Sequence, residues 1–503
     1  MINICIIATI VIYLVGMLLV GFVYSKSNED SSDFYLGGRT MGPLVTAMSA
    51  EASDMSSWLL MGMPGLAYLT GIASPGWTAI GLAVGTWLNW LIVARRLRRY
   101  SANLDAITVP QFLSLRFHDQ RNLLNALGAV IIIVFFIPYT ASGFAACGKL
   151  FNSLFGVDYM AAMILSAVVI VGYTIMGGFR AVSTTDLIQS VVMSMALIAV
   201  LVYGVSVAGG WDVVLDNARS LPGYLTMAAS HNAADNTATS YSLLDIASTL
   251  AWGLGYFGMP HILVRFMSIK KPSMIRKSST VAIVWVIISL LAAVLIAYFG
   301  RMVMGEELLT AGNQKLVFIA MSRRFFPAGI CGLLLAAIIA ASISTADSQL
   351  LVASSSFTAD LYKPFFRKNA TEKETLMVGR VLVLVLSAIA FFIANSKGSG
   401  AQAIMDMVEN AWGAFGASFG PTILLSLFWR RFNYKGAVAG VVSGFVVDLG
   451  WLLTGLTAST GVFEIVPGFI ASLIVAVVVT KLTPAPNAEA VEIFDKATSK
   501  DAD

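Results

Sequence analysis

Residues 50–65 read AEASDMSSWLLMGMPG, a run of small and apolar residues with two carboxylates, Glu51 and Asp54, set inside it. Apolar sequence continues on both sides. A carboxylate at the centre of a bilayer costs roughly 2.5–3.5 kcal/mol on insertion scales, so it persists where a cation, a protein partner or a watery path offsets that cost. Gly62, Pro64 and Gly65 close the stretch and mark the place where a regular helix is expected to break. An interrupted membrane helix exposes carbonyl oxygens, and with Ser53, Ser56 and Ser57 nearby the segment has the parts of a site for a hard cation such as Na+. A structural Asp54, pairing with an Arg or capping a half-helix, is the competing reading.

The rest of the chain fits a lipid setting. Its 503 residues are 57% hydrophobic and 12% charged, against about 25% charged in an ordinary soluble protein. The net charge of +4 says less than its placement. Cys5, Cys147 and Cys331 lie far apart in apolar runs and read as small hydrophobes, not as a disulfide framework or a metal site. The first apolar run has no small-residue cleavage site and reads as a retained span. No nucleic-acid partner and no obligatory protein partner is expected; the partners are the bilayer and a small solute.

Thirteen apolar segments reach the length that a bilayer demands, at residues 2–24, 43–70, 74–94, 123–152, 157–176, 185–209, 243–267, 280–302, 326–356, 376–396, 403–427, 436–456 and 464–481. Regular strand alternation is absent, and backbone groups in lipid must satisfy one another, so the expectation is an all-α membrane protein. With the N-terminus outside, the inward loops carry 20 basic residues, including RRLRR at 95–99 and IKKPSMIRK at 269–277. The outward loops carry five, or six with Arg301, and the long outward loop 210–242 holds only Arg219. That asymmetry predicts an outer N-terminus and a cytoplasmic C-terminus. The polar tail 482–503 is too short to fold alone, which argues against an appended soluble module.

A second interrupted segment, DIASTLAWGLGYFGMPHILVRF, carries Gly253, Gly255, Gly258 and Pro260. It starts five spans after the first. Paired interruptions at matching places point to an inverted-repeat transporter, with repeat one at about 43–209, repeat two at about 243–427, extra helices at 436–481, and one membrane domain over 1–481. Trp252 and Tyr256, at i and i+4, share a face if this segment is helical, and exposed backbone beside aromatic rings suits a small zwitterion. An interfacial aromatic belt is the bland alternative. A third cluster, AASISTADSQ at 340–349, holds Ser342, Ser344, Thr345, Asp347 and Ser348 within a few turns. Single hydroxyls in membrane helices often bond back to the i−4 carbonyl, but this density favours ion coordination together with the broken part of 43–70. Asp186 either caps the helix it begins near the inner face or lies on an ion exit path. Glu51, Asp347, Asp406 and Glu409 are each a proton carrier, a partner for Arg39 or Arg265, or an extra ion ligand. His261 reads as hydrogen-bonded structure.

AEASDMSSWLLMGMPG, WGLGYFGMPHILVRFM, LGGRTMGPLVTAMSA and SISTADSQLLVASSS closely resemble bacterial proline carriers of the sodium:solute symporter family, and the similarity runs from about residue 10 to the end of the last span. The resemblance implies a leucine-transporter-type fold of thirteen helices with a 5+5 inverted-repeat core. It implies sodium-coupled uptake of L-proline by alternating access, with Na+ as the co-transported ion, in a bacterial inner membrane. It implies a sodium site from the carbonyls of Ala52, Met55 and Ala341 and the hydroxyls of Ser344 and Thr345. Asp54 and Ser56 match positions that couple ion and solute; Trp252, Gly255, Tyr256 and Pro260 fall in the proline-binding segment; Tyr139, in FFIPYTASG, lines the same site. Arg39 and Asp186 match polar residues on the cytoplasmic side that affect coupling. Glu51 stands where some members have glycine and Asp347 where some have a small hydroxyl residue, which leaves the ion count open. The alternatives are symport of another small amino acid or monocarboxylate, and proton coupling through Glu51 or Asp347. A channel would have no use for the aromatic segment. An enzyme lacks a motif: His118, His231 and His261 stand alone, without HExxH or GxSxG.

Overall fold

The computed structural model describes residues 4–27, 29–397 and 401–499. Residues 2 and 3 of the first expected span and 500–503 of the tail lie outside them. Among the described residues, ten helices are long and apolar enough to cross a membrane, from Ile4–Tyr24 to Ile465–Leu482. One of the ten, Tyr159–Val207, runs 49 residues and covers two expected spans. No separate loop divides it at 177–184; a single glycine does, Gly178, at φ 58° and ψ −153°. A Cβ there would sit 2.7 Å from the Phe34 ring, so the turn needs glycine on both counts. Tyr173 and Asp186, on either side of it, reach the same polar cluster, which shows that the chain doubles back.

The two interrupted segments each fall short of an unbroken span, and their breaks define the site. The first comprises Pro43–Met55, a wide turn at Trp58–Gly62, and Met63–Thr70. The sequence suggests a break at Gly62–Gly65; the structure puts it at Ser56, whose φ is 44°. Proline is unpenalised in the first turn of a helix, and Pro64 starts Met63–Thr70. Gly65 is there for closeness, since a side chain on it would strike the Lys315 backbone at 2.7 Å. The second comprises Leu243–Leu250, a 3₁₀ segment Ala251–Phe257, and Pro260–Ser268, again with proline at its start. Here the break falls among the glycines, as expected. Gly253 meets the Gly81 carbonyl closely enough that a Cβ would lie 2.3 Å from it.

Ala328–Ser355 is the central post: every residue from Leu334 to Ser355 is buried. It packs on Ile4–Tyr24, Pro43–Met55, Leu123–Phe155 and Tyr159–Val207. A ring of exposed apolar side chains, among them Ile12, Phe22, Val168, Leu291, Phe392 and Ile474, faces outward as a lipid-facing surface requires. Two features were not foreseen. Ala229–Asn232 and Thr237–Ser240 pair as a short antiparallel hairpin inside the 210–242 loop. The tail forms a helix, Ala488–Thr498, that docks through Ala490, Phe494 and Ala497. Arg116 donates to the Ala490 carbonyl at 3.0 Å, and Arg430 makes two bonds to Asp495 at 2.8 and 2.7 Å.

Candidate cation and solute site

Ending a helix leaves the carbonyls of its last turn without helical donors. After Met55 the chain turns at Ser56, and the next amides go elsewhere: Trp58 N donates to Ser56 Oγ at 3.1 Å and Leu59 N to the Ser56 carbonyl at 3.4 Å. The freed end faces the hydroxyls of the central post. Ser344 Oγ lies 2.8 Å from the Ala52 carbonyl and 3.2 Å from that of Ala341, and Thr345 Oγ1 lies 3.1 Å from Ala341 O. Ala52, Ala341, Ser344 and Thr345 are thus brought together, all at most 3% exposed, and Met55 is buried beside them at the helix end. These are neutral oxygens. Each hydroxyl can turn its lone pairs toward a cation in place of its present acceptor, so the donor set suits an alkali ion whose water has been stripped.

Beside this cluster is a cavity of about 20 Å3, lined by Asp54, Met55, Ser56, Trp58, Leu82, Tyr139, Trp252, Val408 and Trp412. That is room for about one water, so an amino acid enters only when the lining moves. The aromatic part of the lining is stacked: Trp252 lies on Trp58 with ring centroids 5.7 Å apart and on Phe463 at 5.1 Å. Trp412 Nε1 donates to the Trp252 carbonyl at 2.8 Å. Together these rings form a lid. Tyr256 donates its hydroxyl to Asp54 Oδ2 at 2.5 Å, tying the second break to the first. The segment is 3₁₀, not α-helical, so i and i+4 are not stacked in line; Trp252 goes to the lid and Tyr256 to Asp54, and both rings meet Trp412, with centroids 6.2 and 5.1 Å away. Gly255 lies against Trp412, where a Cβ would be 2.1 Å from Nε1. Pro260 sits a short way along, buried at the head of its half-helix.

Two of the predicted coupling residues, Asp186 and Asp347, belong to a second polar cluster. Asp186 does not cap a helix. It lies inside Tyr159–Val207, fully buried, and accepts from Ser49 Oγ at 2.6 Å and Arg265 Nη2 at 3.1 Å. Arg265 also donates to Ser49 Oγ, to the His261 carbonyl and to Ser348 Oγ. Asp347 accepts from the Tyr173 hydroxyl and from Ser348 Oγ. Ser348 in turn is 2.7 Å from the Ser344 carbonyl, which links the two clusters. Among the described residues Glu51 has neither Arg as partner: its Oε1 accepts from Trp90 Nε1 at 3.0 Å and its Oε2 has no bond. Arg39 has Asp105 close enough to act on its charge. It donates to the carbonyls of Met267, Ser101 and Ala106 at 2.9, 3.0 and 2.7 Å. Burial, with Arg98 nearby, lowers its pKa to about 10, so it stays cationic at neutral pH. Asp406 and Glu409 lie near Lys315, and Glu409 also near Glu464. His261 is fully buried beside the Ser53 backbone, which acts on its ring as a hydrogen-bond partner would, although neither ring nitrogen meets full hydrogen-bond geometry among the described residues. Trp58, Trp412 and Tyr173 were missed because single aromatics in spans look like lipid-facing bulk; Arg265, the one Arg inside the 243–267 span, was the legible signal for a buried ion pair.

The broken helices, the post between them and the lid are the parts of a solute carrier, and the sequence profile described as the sodium:solute symporter family matches residues 34–444. The chain belongs to the sodium:solute symporter family. It is 42% identical over 490 residues to the osmoregulated proline transporter OpuE of Bacillus subtilis (strain 168), covering 97% of each chain. A sodium/proline symporter of Staphylococcus aureus is 41% identical, covering 95% of this chain and 93% of its own. The high-affinity proline transporter PutP of B. subtilis is 42% identical, covering 95% and 98%. Among solved structures, a substrate-bound, outward-open Na+-coupled sialic acid symporter superposes with TM-score 0.77 at 21% identity, covering 97% of this chain and all of that one. MhsT in complex with L-phenylalanine superposes with TM-score 0.54 at 13% identity, covering 87% of this chain and 97% of that one. These likenesses fix the fold of the symporter as the leucine-transporter type and make it a multi-pass membrane transporter, not an enzyme.

Proposed function

We propose that this symporter carries L-proline into the cell with Na+ by alternating access. The observation that carries the reading is the meeting of the Ala52 carbonyl with Ser344 and Thr345 directly beside a small aromatic-walled cavity, in a chain about two-fifths identical to proline transporters along almost its whole length. Na+ lies among Ala52, Met55, Ala341, Ser344 and Thr345. The solute lies between the two breaks, against Trp252, Gly255, Tyr256, Pro260, Tyr139 and Ser56. Asp54 touches both regions, since it lines the cavity and holds Tyr256. Na+ at the end of Pro43–Met55 fixes that end and with it Asp54 and Tyr256, which builds the solute pocket; the solute then holds the lid shut. Each ligand favours the same arrangement, and that shared preference is the coupling. Asp186, Arg39, Glu51 and Asp347 belong to the inward path and its seal.

The topology of this reading has thirteen helices. Nine of the ten long helices count once, the 49-residue helix counts as two about Gly178, and the two interrupted segments add two more. Two inverted five-helix repeats, at about 43–209 and 243–427, form the core, with the N-terminus outside and the C-terminus in the cytoplasm of a bacterial inner membrane. The driving force is sufficient. A potential of 100 mV contributes about 2.3 kcal/mol per charge, and a tenfold gradient about 1.4 kcal/mol. One ion per cycle then sustains roughly several-hundred-fold accumulation of a neutral solute.

Uptake of labelled proline into proteoliposomes, with and without an inward Na+ gradient and competed by a panel of amino acids and monocarboxylates, tests this. Gradient-dependent uptake competed by unlabelled proline is the expected result. Uptake indifferent to Na+ rejects the coupling, and uptake of another solute in preference to proline rejects the substrate.

A further inference from the structure

Behind the lid lies a pair of carboxyls that the transport cycle above does not use. Asp448, inside Tyr434–Leu453, is fully buried, and neither of its oxygens has a hydrogen-bond partner among the described residues. Glu464, 2% exposed, immediately precedes Ile465–Leu482 and accepts from Thr457 Oγ1 at 2.8 Å. Both converge on Gly413 of Ala401–Phe428: a side chain there would lie 3.0 Å from Asp448 Oδ1 and 3.4 Å from Glu464 Oε1. The chain neighbours of this point are lid residues. Trp412 precedes Gly413 and Phe463 precedes Glu464. Trp412 bonds the Trp252 carbonyl, and Phe463 stacks on the Trp252 ring.

We propose that Asp448 and Glu464 are a proton-binding carboxyl pair whose occupancy sets the tightness of the aromatic lid. Leaving an unpartnered carboxylate in a site closed to water, next to a second carboxyl, costs far more than placing a proton on it. With the proton bound, the three helices pack against one another at Gly413. With it gone, two like charges press apart across a glycine that offers no side chain to separate them, and Phe463 and Trp412 move with their neighbours. The remaining charged groups on the elements packed here leave the pair without a counter-charge. Asp406 and Glu409 add negative charge, and Lys315 faces those two. Asp245 is engaged in capping Leu243–Leu250. Lys435 and Lys481 sit at the opposite ends of their helices. Leu123–Phe155 touches these helices through Phe135.

The test is infrared difference spectroscopy of the reconstituted protein stepped between about pH 6 and about pH 9, a readout that needs no solute and stands even if the proline reading fails. Wild type loses a protonated-carboxyl band on the alkaline step, and Asp448→Asn and Asp448→Leu lack that change. In parallel, apparent proline affinity in wild type falls about fivefold on the alkaline step and stays within about twofold in both variants. Asp448→Leu guards against a folding artefact, because an apolar side chain of similar size suits the buried position. The proposal is overturned if the band change is the same in wild type and both variants, or if wild type shows none.

Discussion

Ser344 Oγ stands 2.8 Å from the carbonyl oxygen of Ala52, joining residues 292 positions apart in the chain. One comes from the end of an interrupted helix, the other from the middle of an unbroken one. The contact exists because the first helix stops at Met55: a continued helix would keep its own carbonyls occupied.

The bond from Tyr256 to Asp54 is the direct link between the two breaks. A hydrogen bond to a charged acceptor is worth about 1.5–3 kcal/mol. Tyr256→Phe is therefore expected to weaken proline binding roughly 10- to 100-fold, while Na+ binding measured without solute changes little. Asp54→Asn weakens both. Equilibrium binding of labelled Na+ and proline to the purified variants separates the two effects. Equal loss of both ligands in Tyr256→Phe would assign the tyrosine to structure alone.

Asp186 and Arg265 are a fully buried ion pair. Removing one member leaves an uncompensated charge, at a cost of about 3–5 kcal/mol. Asp186→Asn and Arg265→Gln should each lower the thermal midpoint in detergent by several degrees, and the double variant should recover part of the loss. Additive losses would show that the pair does not act as one.

Gly255 is a matter of space. A methyl group there would meet the Trp412 indole nitrogen at 2.1 Å, so Gly255→Ala must push the lid ring aside. Proline uptake should fall at least about tenfold with surface expression intact. Gly16, with nothing within 4 Å of an added Cβ, is the control position, and Gly16→Ala should transport normally.

The tail helix is held by Phe494 and by the Arg430–Asp495 pair. Arg430 holds the Asp495 carboxyl below its ordinary range. A depressed carboxyl adds to docking at pH above its unfolded value, and that contribution disappears as the pH falls through the lowered one. The exposed pair is screened by salt and contributes little. Phe494→Ala, which removes about 2 kcal/mol of apolar burial, should release Ala488–Thr498 to hydrogen exchange and proteolysis. Arg430→Ala should do so weakly, and then mainly at low salt. Unchanged protection in Phe494→Ala would mean that Arg116 alone anchors the helix.

Much of this was legible from local chemistry. A carboxylate among serines in an apolar run, glycines before a proline, and a hydroxyl-dense later span each point to a site, and the structure brings Ala52 to Ser344 and Asp54 to Tyr256. What could not be read was geometry that depends on partners. The first break lies at Ser56, not at Gly62, because the positive φ is tolerated by a residue whose hydroxyl caps Trp58 N. The loop expected at 177–184 is a turn at one residue, Gly178. Asp186 read as either a cap or part of an ion exit path because its helix was expected to begin there; its partner, Arg265, is 79 residues away. Trp412 carries no polar signal in sequence and becomes a lid only through Trp252.

The central claim is that Na+ is held between the end of Pro43–Met55 and the hydroxyls of Ala328–Ser355. The most direct measurement is the Na+ concentration that half-saturates proline uptake in proteoliposomes at fixed voltage, for wild type, for Ser344→Ala with Thr345→Ala, and for Ser342→Ala, whose hydroxyl turns back along its own helix to Ile338 O at 2.9 Å. The account predicts a rise of at least about tenfold in the double variant, about 1.4 kcal/mol or more, and none in Ser342→Ala. A double variant that transports with the wild-type Na+ requirement contradicts it.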